Sequence, residues 1–110
     1  DDCPRCREQF TYLYSWLLER DSKLKVGMFS AYQDAIPSSG LDMTEEAFEA
    51  LIMSTTGKIH AEHPDTFHRF FIEGDSHCLA DYSYEVEGVS FWQWVGYLVN
   101  EDPRWSELLE

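Results

Sequence analysis

The eleven residues from 89 to 99, VSFWQWVGYLV, constrain the fold of this chain more than any other stretch. The run is too short to cross a bilayer, which takes about 20 consecutive apolar residues in a helix. Ser90 and Gln93 have the spacing of a capping box, in which each side chain satisfies a backbone N–H that a helix start leaves open. A helix from about Phe91 to Val99 follows. At about 100° per residue, Phe91, Val95 and Leu98 point one way, Trp92 and Val99 lie on one flank and Trp94 on the other. Only Gln93, Gly96 and Tyr97 point away, so the helix is expected in the core, covered by its neighbours. The alternative places Trp92 or Trp94 on a partner-binding surface, where tryptophan commonly anchors an interface.

A chain of 110 residues is of a size to form one domain around one hydrophobic core. With 44% hydrophobic and 15% aromatic residues, it is too rich in core formers for a disordered acidic tail. Residues 1–110 therefore read as a single acidic domain, and the start at Asp1 rather than methionine is compatible with a piece of a longer protein.

The periodicity predicts further helices. In CREQFTYLYSWLLERD, residues Phe10, Leu13, Tyr14, Leu17 and Leu18 share one face, giving a helix over roughly 5–20. Leu24, Met28, Ala31, Tyr32 and Ala35 repeat that period, with Ser22 as a cap and Pro37 as a stop. A third helix opens at Asp42 or Thr44, with acids in its first turn and Phe48, Leu51 and Ile52 as its apolar face. Gly57 either stops it or is passed through. Residues 65–87 support two readings. Helices ended by Gly74 and Gly88 are preferred over a hairpin turning at EGDSH. Asp102-Pro103 then turns the chain into a last short helix with Trp105 and Leu108. The expected fold is mainly α: a compact bundle of five or six short helices, with a possible two-stranded hairpin within residues 66–87.

Charge is the most informative total. Residues 1–25 hold five acids and five bases, so the net charge of −13 falls wholly on residues 26–110, whose bases are Lys58, Arg69 and Arg104. Such a surface repels phosphate backbones and anionic lipid, which argues against nucleic-acid and membrane-surface binding. It attracts basic proteins. The expected function is that of a small acidic binding protein, not an enzyme, docking onto or blocking a positively charged surface in the manner of an inhibitor, an immunity protein or a nucleic-acid mimic. Asp42, Glu45, Glu46, Glu49, Glu73, Asp75, Asp81, Glu85 and Glu87 form its acidic face, with Trp92 and Trp94 as apolar anchors. The simpler explanation is that these acids keep an aromatic-rich domain soluble.

Three cysteines, Cys3, Cys6 and Cys78, are an odd number, which points to an intracellular, reducing compartment rather than a disulfide framework. CPRC at residues 3–6 is either a redox pair, two ligands of a zinc site, or simply two unligated thiols or an adventitious disulfide. No cofactor is required by the sequence, although zinc at Cys3 and Cys6 would find further ligands in His60 and His63, or in His77 and Cys78. This defines the alternative function, an interaction domain whose N-terminal C-x-x-C ends a zinc module. A third reading is a cysteine- or metal-dependent enzyme using Cys78 and a histidine base. HAEH at 60–63 lacks the spacing of H-E-x-x-H, and neither a phosphate loop nor a nucleophile elbow is present.

Overall fold

The computed structural model describes residues 3, 5–6, 11–32, 43–74 and 84–110. Along the chain they form α1 (Tyr12–Arg20), β1 (Val26–Ala31), α2 (Glu45–Glu62), β2 (Phe67–Ile72), β3 (Glu85–Val86), β4 (Val89–Ser90), α3 (Phe91–Val99) and β5 (Leu108–Leu109). β1 and β2 pair in parallel from Val26–Phe67 through Ala31–Ile72, and β5 adds in parallel to the other side of β2, opposite Phe70 and Phe71. The result is an α/β arrangement around a parallel sheet in the order β1-β2-β5, not a bundle of five or six helices.

β2 explains the architecture. All six residues of FHRFFI are buried, which requires a cover on each face of the strand, the condition typical of parallel sheets. Because side chains alternate along a strand and paired residues of parallel strands share a face, two separate cores result. Val26, Met28 and Phe67 meet Leu18 of α1 and Ile59 of α2 on one face. Phe29, Ala31, Phe70 and Ile72 meet Trp94 of α3, Trp105 and Leu108 on the other. Phe67, Phe70 and Phe71 have no exposed surface, and burying each stabilises the fold by roughly 1.5–3 kcal/mol. The layers are thus α1/α2, sheet, and α3 with the C-terminal segment.

Three helix starts and stops follow local chemistry. Thr44 Oγ accepts from Ala47 N at 3.0 Å and opens α2, which passes through Gly57 and ends at His63. The Ser90–Gln93 capping box is formed in both directions and opens α3 over the expected residues. α1 covers the second part of the expected first helix; residues 7–10 lie outside the described residues.

Elsewhere the expectation of helices is overturned. The apolar residues from Leu24 to Ala35, read at helical spacing, include strand β1. Both faces of β1 are covered, so its sequence lacks the polar–apolar alternation that marks a half-buried strand. Phe67, Phe70 and Phe71, read as one helical face, lie on both faces of β2. The hairpin reading of 66–87 is also replaced. β2 pairs with β1 and β5, and the hairpin present joins β3 to β4 through Glu87 and Gly88, with φ of 53° and 81°. Positive φ at both loop residues is what a two-residue turn matching the strand twist demands. The last expected helix is instead a turn followed by β5.

α3 approaches the sheet most closely at Gly27 of β1, where a Cβ would lie 2.8 Å from Trp94 Cη2. Trp94 is fixed there by its indole N–H, which donates to Ser106 O at 2.7 Å. Gly27→Ala is expected to destabilise the protein by about 1–3 kcal/mol through overpacking, read as a lowered urea midpoint with an unchanged slope.

Candidate functional site

A parallel sheet covered on both faces leaves the ends of its strands for function, and in open α/β sheets ligands bind outside the carboxyl ends. Here β1 and β2 finish side by side, with Tyr32 N–H donating to Ile72 O at 2.9 Å. The Tyr32 hydroxyl donates to Glu110 O at 3.0 Å, and Glu73 N–H donates to Glu110 Oε1 at 2.7 Å. Burial pushes the Tyr32 phenol up from its ordinary value, and Glu73, Glu49 and Glu110 add to this while Arg69 opposes it. The end of the β1–β2 pair is therefore a negatively charged environment. Two segments leave from it. The chain passes from Tyr32 into residues 33–42, which carry Asp34, and from Gly74 into residues 75–83, which carry Asp75, Ser76, His77 and Cys78; both lie outside the described residues.

A second polar group is built into the body of the domain. Arg69, in the middle of β2, is buried, and its guanidinium must be paired. Glu107, just before β5, accepts from Arg69 N at 2.6 Å with Oε1, and from Arg69 Nε at 2.8 Å and Nη2 with Oε2. Arg69 Nη1 donates to Thr56 Oγ of α2 at 3.2 Å. His60 of α2 and His68 of β2 adjoin this pair. His60 Nε2 lies 3.7 Å from Glu107 Oε2, and its Nδ1 lies 2.6 Å from Phe67 O. His68 packs edge-on against Trp105 at 4.3 Å, and its buried Nδ1 has no hydrogen-bond partner. Burial lowers the His68 pKa, His60 lowers it further, and Glu107 and Asp65 act the other way.

The residues singled out from the sequence are distributed over several elements. Glu45 and Glu46 occupy the first turn of α2, with Glu49 following. Glu73 follows β2, and Glu85 and Glu87 lie on the β3–β4 hairpin. Asp42, Asp75 and Asp81 lie outside the described residues, as do His77 and Cys78. Trp92 is 49% exposed at the start of α3, whereas Trp94 is 2% exposed and belongs to the core. Cys3 and Cys6 are joined in a disulfide with Cα atoms 5.4 Å apart, a state that offers no thiolate to a metal. His63 ends α2, and the groups that adjoin His60 are instead His68 and Glu107, which the sequence alone did not single out. The signal for them was available: a histidine and an arginine inside an otherwise aromatic strand demand partners.

Among the described residues, no helix is long and apolar enough to cross a membrane. Comparison with protein-family models, curated proteins and solved structures finds no match. Fold and site define a layered α/β domain with an acidic strand-end surface and a His-His-Glu-Arg cluster in which His68 and Arg69 are buried and His60 and Glu107 partly so.

His68 gives this cluster a pH signature. Its folded pKa lies below the ordinary value of 6.5, so below that pH the unfolded chain binds a proton that the folded protein does not, and stability falls with pH. His68→Phe is expected to remove this contribution. Equilibrium denaturation at a series of pH values below 6.5 should show a shallower acid loss in the variant than in the parent.

Proposed function

We propose that the carboxyl ends of β1 and β2 form the functional surface of a hydrolytic or acyl-transfer enzyme, with His77 as general base and Asp34 as the carboxylate that orients it. The observation that carries this reading is the parallel pairing of β1 and β2 up to Tyr32 and Ile72. Asp34 follows Tyr32 by two residues and His77 follows Ile72 by five, spans of at most about 7 Å and 17 Å of extended chain. An aspartate and a histidine thus follow two adjacent strands in sequence, beyond the end where α/β proteins place their chemistry. That pairing suits a histidine base, whose tautomer and orientation a carboxylate fixes through the second ring nitrogen. Asp34 is preferred to Asp75 as the orienting group because Asp75 is only two residues from His77 in the same segment. Glu49, Glu73 and Glu110 disfavour anionic substrates at this end. This reading departs from the expectation of a protein without catalytic activity.

The test is turnover of neutral aryl and alkyl esters by the native full chain. His77→Gln and Asp34→Asn are each expected to lower kcat/KM by at least a hundredfold, with Asp75→Asn changing it by less than tenfold. Equal activity in all three variants would overturn the assignment.

A second reading, an acidic surface that docks onto a basic protein, is favoured by the half-exposed Trp92, which follows the hairpin carrying Glu85 and Glu87. Carboxylates would steer the encounter and Trp92 would supply the apolar contact. Reversing the charge of Glu45, Glu46 and Glu49 together is expected to weaken such binding at least tenfold at low salt and to flatten its salt dependence. Unchanged affinity and salt slope, measured with a basic partner captured at low ionic strength, would remove this reading.

A further inference from the structure

We infer that His60, His68 and Glu107 form a binding site for a divalent transition-metal ion of the zinc type, which clamps α2 to β2 and to the segment entering β5. One ligand atom from each residue lies within 4.8 Å of the other two. A tetrahedral zinc with bonds of about 2.0–2.1 Å separates its ligands by about 3.4 Å. His60 Nε2 lies 3.7 Å from the nearer Glu107 oxygen, Oε2, which places the imidazole and the carboxylate within reach of one ion.

The state of each ligand fits a metal. His60 Nδ1 lies 2.6 Å from Phe67 O, and a carbonyl accepts but cannot donate, so Nδ1 carries the proton. In neutral His60 this leaves the Nε2 lone pair facing a carboxylate oxygen, which is also an acceptor. That lone pair is the one His60 can offer to an ion shared with Glu107. Fixing one ring nitrogen by a backbone carbonyl while the other binds the ion is the usual second-shell arrangement of metal-ligating histidine.

His68 supplies an independent observation. It is 8% exposed and its Nδ1 has no hydrogen-bond partner among the described residues, a cost of about 1–3 kcal/mol for a buried polar group. On Glu107, Oε2 accepts from both Arg69 Nε and Nη2 while Oε1 accepts only from Arg69 N, so of roughly four acceptor positions the one left for an ion is on Oε1. The guanidinium orients the carboxylate, and its charge weakens metal binding, so micromolar affinity is expected rather than the much tighter binding of a thiolate site.

Two nitrogens and one oxygen favour zinc over magnesium or calcium, which take oxygen ligands. The site lies on the early residues of β2 and the last turn of α2, whereas the proposed catalytic groups enter after β2 ends. Its role is therefore structural and does not rest on the esterase reading.

The experiment is equilibrium dialysis of the purified full chain against Zn2+ at neutral pH with metal analysis, repeated with Co2+ as a spectroscopic probe. One zinc per chain is expected, a raised thermal midpoint with zinc, and the intense visible absorption of four-coordinate cobalt. His60→Gln, which changes a partly exposed helix residue, and Glu107→Gln should each weaken zinc binding at least tenfold. Cys3→Ser/Cys6→Ser should retain it. Circular dichroism checks that each variant is folded; should Glu107→Gln unfold, His60→Gln decides alone. Absence of stoichiometric zinc, zinc that is lost with the cysteines, or zinc retained by His60→Gln would each overturn the inference.

Discussion

A guanidinium in the middle of a fully buried strand is the constraint on which this structure depends. Arg69 cannot remain unpaired there, because an isolated buried charge costs many kcal/mol. Its partner Glu107 lies 38 residues away in sequence, and meeting it fixes where the C-terminal segment must run. Once Glu107 occupies that place, Leu108 and Leu109 fall opposite Phe70 and Phe71 and become β5. Removing one member of such a pair typically costs about 3–5 kcal/mol, while replacing both by apolar residues is often neutral or stabilising. The pair therefore acts mainly as a register device that ties α2, β2 and β5 together.

The same strand separates the molecule's two polar regions. Its first residues lie beside His60 and Glu107, with His68 and Arg69 buried and Glu107 paired to Arg69. Its last residue meets Tyr32 and the Glu49, Glu73 and Glu110 charges, where the chain leaves toward Asp34 and His77. Around the paired Arg69 the strand is packed by Ile59 and Leu18 on one face and by Trp94 and Trp105 on the other. Polar groups thus flank an aromatic, tightly packed middle, the arrangement by which parallel sheets combine precise positioning with variable loops.

The candidate site was legible only in part. His60 stood out as a metal-ligating type, yet its partner was sought at His63, because sequence shows neighbours along a helix and not across a sheet. His68 and Glu107 are brought to His60 by strand pairing, with no local spacing to announce them. The acidic residues were legible as composition, while their separation between the start of α2, the end of β2 and the β3–β4 hairpin was not. Trp92 and Trp94, equivalent as residue types, receive opposite roles because only Trp94 faces Gly27, the position in β1 where the sheet leaves room for an indole.

The sequence by itself determined α2 and α3, because a helix start is a local event. Thr44 and the Ser90–Gln93 box satisfy backbone groups within three residues, and no distant segment is needed. Gly88 was legible as a break in the chain, but as a helix stop rather than as half of the Glu87–Gly88 turn that joins β3 to β4. Only the tertiary structure decided β1, β2 and β5. A strand buried on both faces carries apolar residues in sequence without alternation, so VGMFSA and FHRFFI have no period that separates them from buried helix. What makes them strands is each other: parallel partners supply the backbone hydrogen bonds, and those partners come from segments that only the folded chain brings together.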